Sequence, residues 1–265
     1  MRTAIYYVDA FTNRRFSGNP AAVMPMPAFL PDETLQTIAA ENNLSETAFL
    51  VPNNAPGNSD YLLRWFTPLV EVPLCGHATL ASAAVVMERL EPGRTQVAFQ
   101  SLSGVLSVHR ENNAYVMDFP ARYSEPVAPP PELATALGAI LSEVLINQFN
   151  YMAVLENEKT VRELAPDMAT LARIGRPGVI VTAPSDGPYD FVSRYFAPAK
   201  GIPEDPVTGA AHCMLAPYWA KRLGKSELRA FQASRRGGEI ICRINADRVE
   251  LRGQCVFYLQ GEVEI

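Results

Sequence analysis

The sequence predicts an α+β protein of two pseudo-symmetric halves, each a curved, mostly antiparallel sheet wrapped around a central helix. Three observations predict it. The first is an internal repeat: Ala22–Pro52 shares its pattern with Ala153–Pro184, which starts 131 residues later. Phe66-Thr67-Pro68 returns as Phe196-Ala197-Pro198 after 130 residues, and Phe99-Gln100 as Phe231-Gln232 after 132. Three blocks in one order at nearly constant spacing mark a duplicated unit. The second is a pair of loops, VPLCGH and IPEDPVTG, each running through Pro and Gly into a helix apolar nearly all round, ATLASAAVVM and AAHCMLAPYW. Such a helix belongs inside. The third is a set of short alternating segments with tight connections, the pattern of antiparallel strands.

In the first half, Ala4–Phe11 reads as a strand and Phe16–Met24 as a turn entering a second one. A helix starts at Pro31-Asp32, carries Leu35, Ile38 and Ala39 on one side, and ends near Asn42-Asn43. Thr47–Val51 and Tyr61–Phe66 are strands, a helix runs from His77 to near Leu90, and Gln96–Gln100, Gly104–Arg110 and Tyr115–Phe119 form a meander. The second half repeats this order. The expected bounds are 1–122 and 132–265, with the last strand free to cross back and Pro126–Pro131 as linker.

Composition narrows the function. Of 265 residues, 48% are hydrophobic and 19% charged, as in an ordinary soluble globular protein. A net charge of −5 gives no basic field for nucleic acid, and Arg14-Arg15 and Arg235-Arg236 read as solvated pairs. No apolar run approaches the length of a membrane span. MRTAIYYVDAF alternates like a strand and lacks a signal peptide's apolar core, so a cytoplasmic location is expected. Four cysteines without CxxC spacing and three histidines give no zinc pattern, and no glycine-rich nucleotide fingerprint follows a strand. The expectation is therefore no metal and no cofactor, with the chemistry done by side chains.

Three side chains are placed to do it. Glu46 precedes an apolar strand, where burial would raise a carboxylate toward the range in which it takes and returns protons. His77 follows Gly76 at a helix start, whose positive potential favours a neutral imidazole. Asp205 lies in the corresponding loop of the second copy, before another helix start. Each has a structural alternative: a solvated or capping carboxylate, a satisfied helix-start histidine, and a helix cap. Cys75 invites a thiol mechanism, yet the matching loop offers Asp205-Pro206 and no partner cysteine, which disfavours a two-thiol epimerase.

The segments FSGNPAAV, NLSETAFL, RWFTPLVEVPLCGHATLASA, MDFPA, SRYFAPAKGIPEDPVTGAAHC and QASRRGGEI resemble the PhzF family across essentially the whole chain. These are phenazine-biosynthesis-type isomerases with the diaminopimelate-epimerase fold. The resemblance implies a cofactor-independent isomerase that moves a proton on a small carboxylic acid in a cleft between two halves. By this resemblance Glu46 is the shuttling acid/base, with His77 and Asp205 as catalytic partners. Asn19, Gly76, Ala78, Gly209 and Ala210 bind the substrate. One departure stands out: the family commonly has Ser where this chain has Ala210. The missing hydroxyl removes a hydrogen bond worth roughly 0.5–1.5 kcal/mol and leaves the substrate open. It also admits a binding protein of the same fold without turnover. An amino-acid racemase or epimerase is a third reading. A homodimer is common in the family, and the expected partner is otherwise only the small-molecule substrate.

Overall fold

A helix with no polar side needs strands around it, and each of the chain's two units meets that need in the same way. The computed structural model describes all 265 residues. One unit comprises Met1–Asp118 and Arg252–Ile265, the other Phe119–Leu251.

In the first unit, β1 (Arg2–Ala10) pairs antiparallel with β2 (Asn19–Pro25) and with the C-terminal strand Cys255–Glu264. After α1 (Asp32–Asn42), β3 (Glu46–Pro52) lies parallel to β2, and β4 (Tyr61–Phe66) antiparallel to β3. The short β5 (Glu71–Val72) folds back on β4 and leads into α2 (Gly76–Val85), which continues as a π-helical turn over Val86–Leu90. Next come β6 (Gln96–Ser101), parallel to β4, then β7 (Gly104–Glu111) and β8 (Ala114–Pro120) as an antiparallel meander. Every residue from His77 to Met87 is buried, and α2 packs on β1, β2 and β3. The opposite sheet face packs on α1 through Ala22, Met24, Phe49, Val51 and Phe66 against Leu35 and Ala39.

The second unit opens with β9 (Glu125–Pro126), α3 (Leu133–Leu137), β10 (Glu143–Ile146) and β11 (Asn150–Val154). Two short helices, α4 (Glu158–Glu163) and α5 (Met168–Leu171), stand where the repeat predicts one. Then follow β12 (Gly178–Pro184), β13 (Phe191–Ala197), β14 (Ile202–Glu204), α6 (Gly209–Leu223), β15 (Glu227–Gln232), β16 (Gly238–Asn245) and β17 (Arg248–Gly253). The pairings repeat those of the first unit: β11 parallel to β12, β12 antiparallel to β13, β13 parallel to β15, β15 antiparallel to β16. The internal repeat read from sequence is thus a repeat of topology.

One boundary differs from the sequence reading, and the crossing left open for the last strand takes place. The Pro-rich stretch is part of the second unit's fabric: β9 pairs with β10, and Val127 N–H donates to Val144 O at 2.9 Å. The C-terminal strand pairs with β1 from Arg2 to Ala10, with a register shift between Tyr7 and Val8, and so belongs to the first unit. No helix is long and apolar enough to cross a membrane.

One brace recurs in both units and explains the repeated Arg-aromatic-Phe-x-Pro motif. Arg64 on β4 grips Glu71 on β5 with two bonds of 2.7 Å, its guanidinium over the Phe66 ring. Arg194 on β13 grips Glu204 on β14 at 2.7 and 2.9 Å, over Phe196. Planar two-point pairing fixes direction as well as distance. Each brace therefore fastens the strand that delivers the chain to a central helix.

Candidate active site

The first unit gathers its chemistry at the start of α2. Gly18 makes the turn that precedes it: with φ of +68°, and with an added Cβ falling 2.2 Å from Ala10 O, only glycine fits. Asn19 is thereby set, fully buried, at the head of β2. Its amide nitrogen lies 3.0 Å from His77 Nδ1. His77 Nε2 lies 3.1 Å from Glu46 Oε2, with the histidine side chain 5% and the glutamate side chain 12% exposed. The approach is off the line of a ring N–H, so this oxygen keeps room for another partner.

Burial alone would lower the His77 pKa; the Cys75 sulfur and the Glu46 carboxylate outweigh it and hold the imidazole well above its ordinary range. We give the carboxylate the larger part, because the Cys75 thiol is itself protonated. This corrects the neutral imidazole expected from the helix start: a carboxylate at 3.1 Å outweighs a partial helix charge. A protonated ring needs an acceptor at Nδ1, which the Asn19 amide supplies by turning its oxygen inward.

Cys75 is the N-cap residue of α2, with its sulfur 3.5 Å from His77 Nδ1. Burial, with the Glu46 charge adding to it, pushes the thiol up to about 11. At neutral pH it is a neutral thiol, a poor nucleophile or base. The donor atoms of Glu46, Cys75 and His77 lie within 4.8 Å of one another, so the trio is compact enough to face one ion.

No side chain caps the amide groups that open α2; the Thr79 hydroxyl instead donates to Cys75 O at 2.6 Å. Gly76 and Ala78 lie in this first turn. A helix start without side-chain partners presents N–H donors and positive potential to an anion.

The second unit places Asp205 differently. Its carboxylate accepts the Thr208 hydroxyl at 2.5 Å, and its backbone N–H donates to Tyr195 O at 3.0 Å. The fully buried Gln232 ties the loop together, with Nε2 donating to Asp205 O at 2.8 Å and Oε1 accepting Thr208 N–H at 2.8 Å. Thr208 is the N-cap residue of α6, yet its side chain caps nothing; Gly209 and Ala210 form the first turn. The arrangement gives Asp205 a structural partner in its own loop and leaves a second uncapped helix start.

Two aromatic residues matter that the sequence reading passed over. Trp65 is 1% exposed and pairs across the sheet with Ala48, two residues along the same face from Glu46. No group of the chain accepts a hydrogen bond from its Nε1–H. Tyr195, at the matching register opposite Ile180, donates its hydroxyl to Asn150 Oδ1 at 3.1 Å. The signal was present in the repeat: RWFTP and RYFAP carry an aromatic residue at one position.

Comparison with known proteins gives the family and the fold. Residues 8–261 match the model of the phenazine biosynthesis-like protein family, PhzC-PhzF. An uncharacterized isomerase of Pseudomonas aeruginosa is 50% identical, covering all of both chains. A crystal structure of a PhzF family phenazine biosynthesis protein from Enterococcus faecalis superimposes with a TM-score of 0.95 at 42% identity, also covering all of both chains. A hydroxyproline epimerase from Agrobacterium vitis, 9% identical, shares the fold with a TM-score of 0.62, covering 99% of this chain and 92% of its own.

Proposed function

Because the chain belongs to the phenazine biosynthesis-like (PhzC-PhzF) family and is an isomerase, we propose that it moves a proton between carbons of a small carboxylic acid, with Glu46 as the shuttling acid/base and no cofactor. The observation that carries this reading is the buried Glu46–His77–Asn19 row beside an uncapped helix start. Glu46 takes the proton from the carbon that lies between the substrate carboxylate and a C=C bond, and the electron pair spreads over both. The proton then returns from Glu46 to the far carbon of that double bond on the same face, so one C–H bond breaks, one forms and the double bond moves into conjugation with the carboxylate. The charged His77, 3.1 Å from Glu46 Oε2, faces the negative charge that develops during the step. The first turn of α2 (Gly76, Ala78) is the proposed anion-binding group of the first unit; the first turn of α6 (Gly209, Ala210), beside which Asp205 holds Thr208, is the proposed one of the second. The neutral Cys75 thiol argues against two-thiol epimerisation.

The test is solvent deuterium incorporation, followed by NMR, with a panel of small cyclic and amino-substituted carboxylic acids. Wild type is expected to exchange or migrate a double bond in at least one acid. Glu46→Gln is expected to lose this by at least about 100-fold, the usual worth of a positioned acid/base. Full turnover by Glu46→Gln removes the shuttle role.

A further inference from the structure

We propose that the indole N–H of Trp65 is a substrate-binding donor, which makes the site select acids carrying an oxygen acceptor beside the carbon that Glu46 addresses. The proposal rests on the reading of Glu46 above. Trp65 pairs with Ala48 on β3 on one side and with Val72 on β5 on the other. Ala48 shares its strand face with Glu46, because alternate residues of a strand face the same way. Val72 leads within three residues to Cys75 and the start of α2. Trp65 therefore sits in the sheet between the strand of the proposed base and the strand that leads to the proposed anion-binding turn, on the face that Glu46 shares, a diagonal cross-strand position within reach of a large ring.

The second observation is chemical. Buried donors are nearly always satisfied, and other buried or half-buried aromatic donors here obey that rule. Trp219 Nε1–H donates to Thr182 Oγ1 at 3.0 Å, Tyr195 to Asn150, Tyr115 to Glu88 and Tyr61 to Glu91. Trp65 alone among these finds no acceptor in the chain. The indole nitrogen makes no hydrogen bond within the chain, so its burial costs the fold a donor with no return. An oxygen of the substrate, first of all one of its carboxylate, supplies the partner. A site that offers a buried donor rejects ligands lacking the matching acceptor.

The chain has two tryptophans, so its indole N–H groups give two resolvable ¹H–¹⁵N signals, assigned with Trp65→Phe. Cyclohex-1-ene-1-carboxylate and 2-aminobenzoate are titrated as probes. The Trp65 signal is expected to move downfield while that of Trp219 stays. Silence of the Trp65 signal across both titrations overturns the proposal. So does a comparable movement produced by Glu46→Gln alone, which would make Glu46 the acceptor. Trp65→Phe is expected to melt somewhat lower than wild type because it leaves a cavity, yet to stay folded and to bind the probes at least about tenfold more weakly, the range of one lost hydrogen bond to a charged group. Equal binding overturns the assignment. Deuterium exchange with Glu46→Gln reports on the proton step alone, so the two ideas fail separately.

Discussion

The same register position holds Glu46 in one unit and Gly178 in the other. Both open a seven-residue strand, and the neighbours that fix the alignment are equivalent, Thr47 opposite Phe66 and Val179 opposite Phe196. Around Glu46 the polar groups keep capacity: a carboxylate oxygen without an aligned donor, and an indole N–H without an acceptor. Around Gly178 they are closed on one another, since the Tyr195 hydroxyl and Asn150 Oδ1 fill the space a side chain would need. Both copies keep the same frame, while polar capacity is left open in one and closed by packing in the other.

The largest way to break the frame is through its braces. Arg194 lies 11% exposed, serves Glu204 with two bonds, and donates to Leu164 O at 2.7 Å. Arg194→Met is expected to cost about 3 kcal/mol by urea denaturation, because it strands a half-buried carboxylate and a carbonyl. Arg64→Met is expected to cost less, about 2 kcal/mol. Its second partner, Asp32, is 76% exposed, and water replaces that bond almost without loss. Equal costs would show that the two braces are not graded by burial.

The histidines of the two central helices offer a sharper contrast, in opposite directions of pH. His212 Nδ1–H donates to Thr208 O at 2.8 Å, as the Thr79 hydroxyl does to Cys75 O one helix earlier. Burial pushes His212 down to about 4, so the folded protein holds it neutral. Its contribution is present above the unfolded pKa near 6.5 and is lost as pH falls toward 4, on the order of 3 kcal/mol in full. His77 has the raised pKa, so its contribution is complete below about 6.5 and is lost as pH rises through its folded value. Melting curves across pH should therefore separate the variants. His212→Gln should flatten the acid side of the stability profile, and His77→Gln the alkaline side. A variant that flattens neither side refutes the assignment for its histidine.

Much of this fold was legible because duplication writes itself twice. The Phe-x-Pro steps, the apolar helices and the strand order were each visible at a spacing near 130 residues. Boundaries were harder: β9 is only two residues long, and the partner of the C-terminal strand lies some 250 residues away, at β1. At the candidate site, the types and order of Asn19, Glu46 and His77 could be read along the chain. Their mutual distances could not, and those distances set the sign of the His77 shift. Trp65 escaped notice because an aromatic residue in an apolar strand looks like core until its nitrogen is counted.

The smallest expected effect sharpens the comparison most directly, because it asks whether the closed copy is closed by packing. A Cβ at Gly178 would lie 2.2 Å from Tyr195 Oη and 2.3 Å from Asn150 Oδ1, well inside contact distance. Gly178→Ala should therefore displace the Tyr195–Asn150 pair and cost about 2 kcal/mol, typical of overpacking in a filled interior. Removing the hydroxyl alone, with Tyr195→Phe, should cost about 1 kcal/mol, since it leaves a buried amide oxygen short of a donor. The double variant should cost less than the sum of the two single ones, because the alanine methyl then loses its nearest clash, with the hydroxyl, and meets only Asn150 Oδ1 and the ring. Strict additivity in that cycle would show that the methyl and the hydroxyl do not compete for one space. Gly178 would then owe its place to the backbone and not to the pair that faces it.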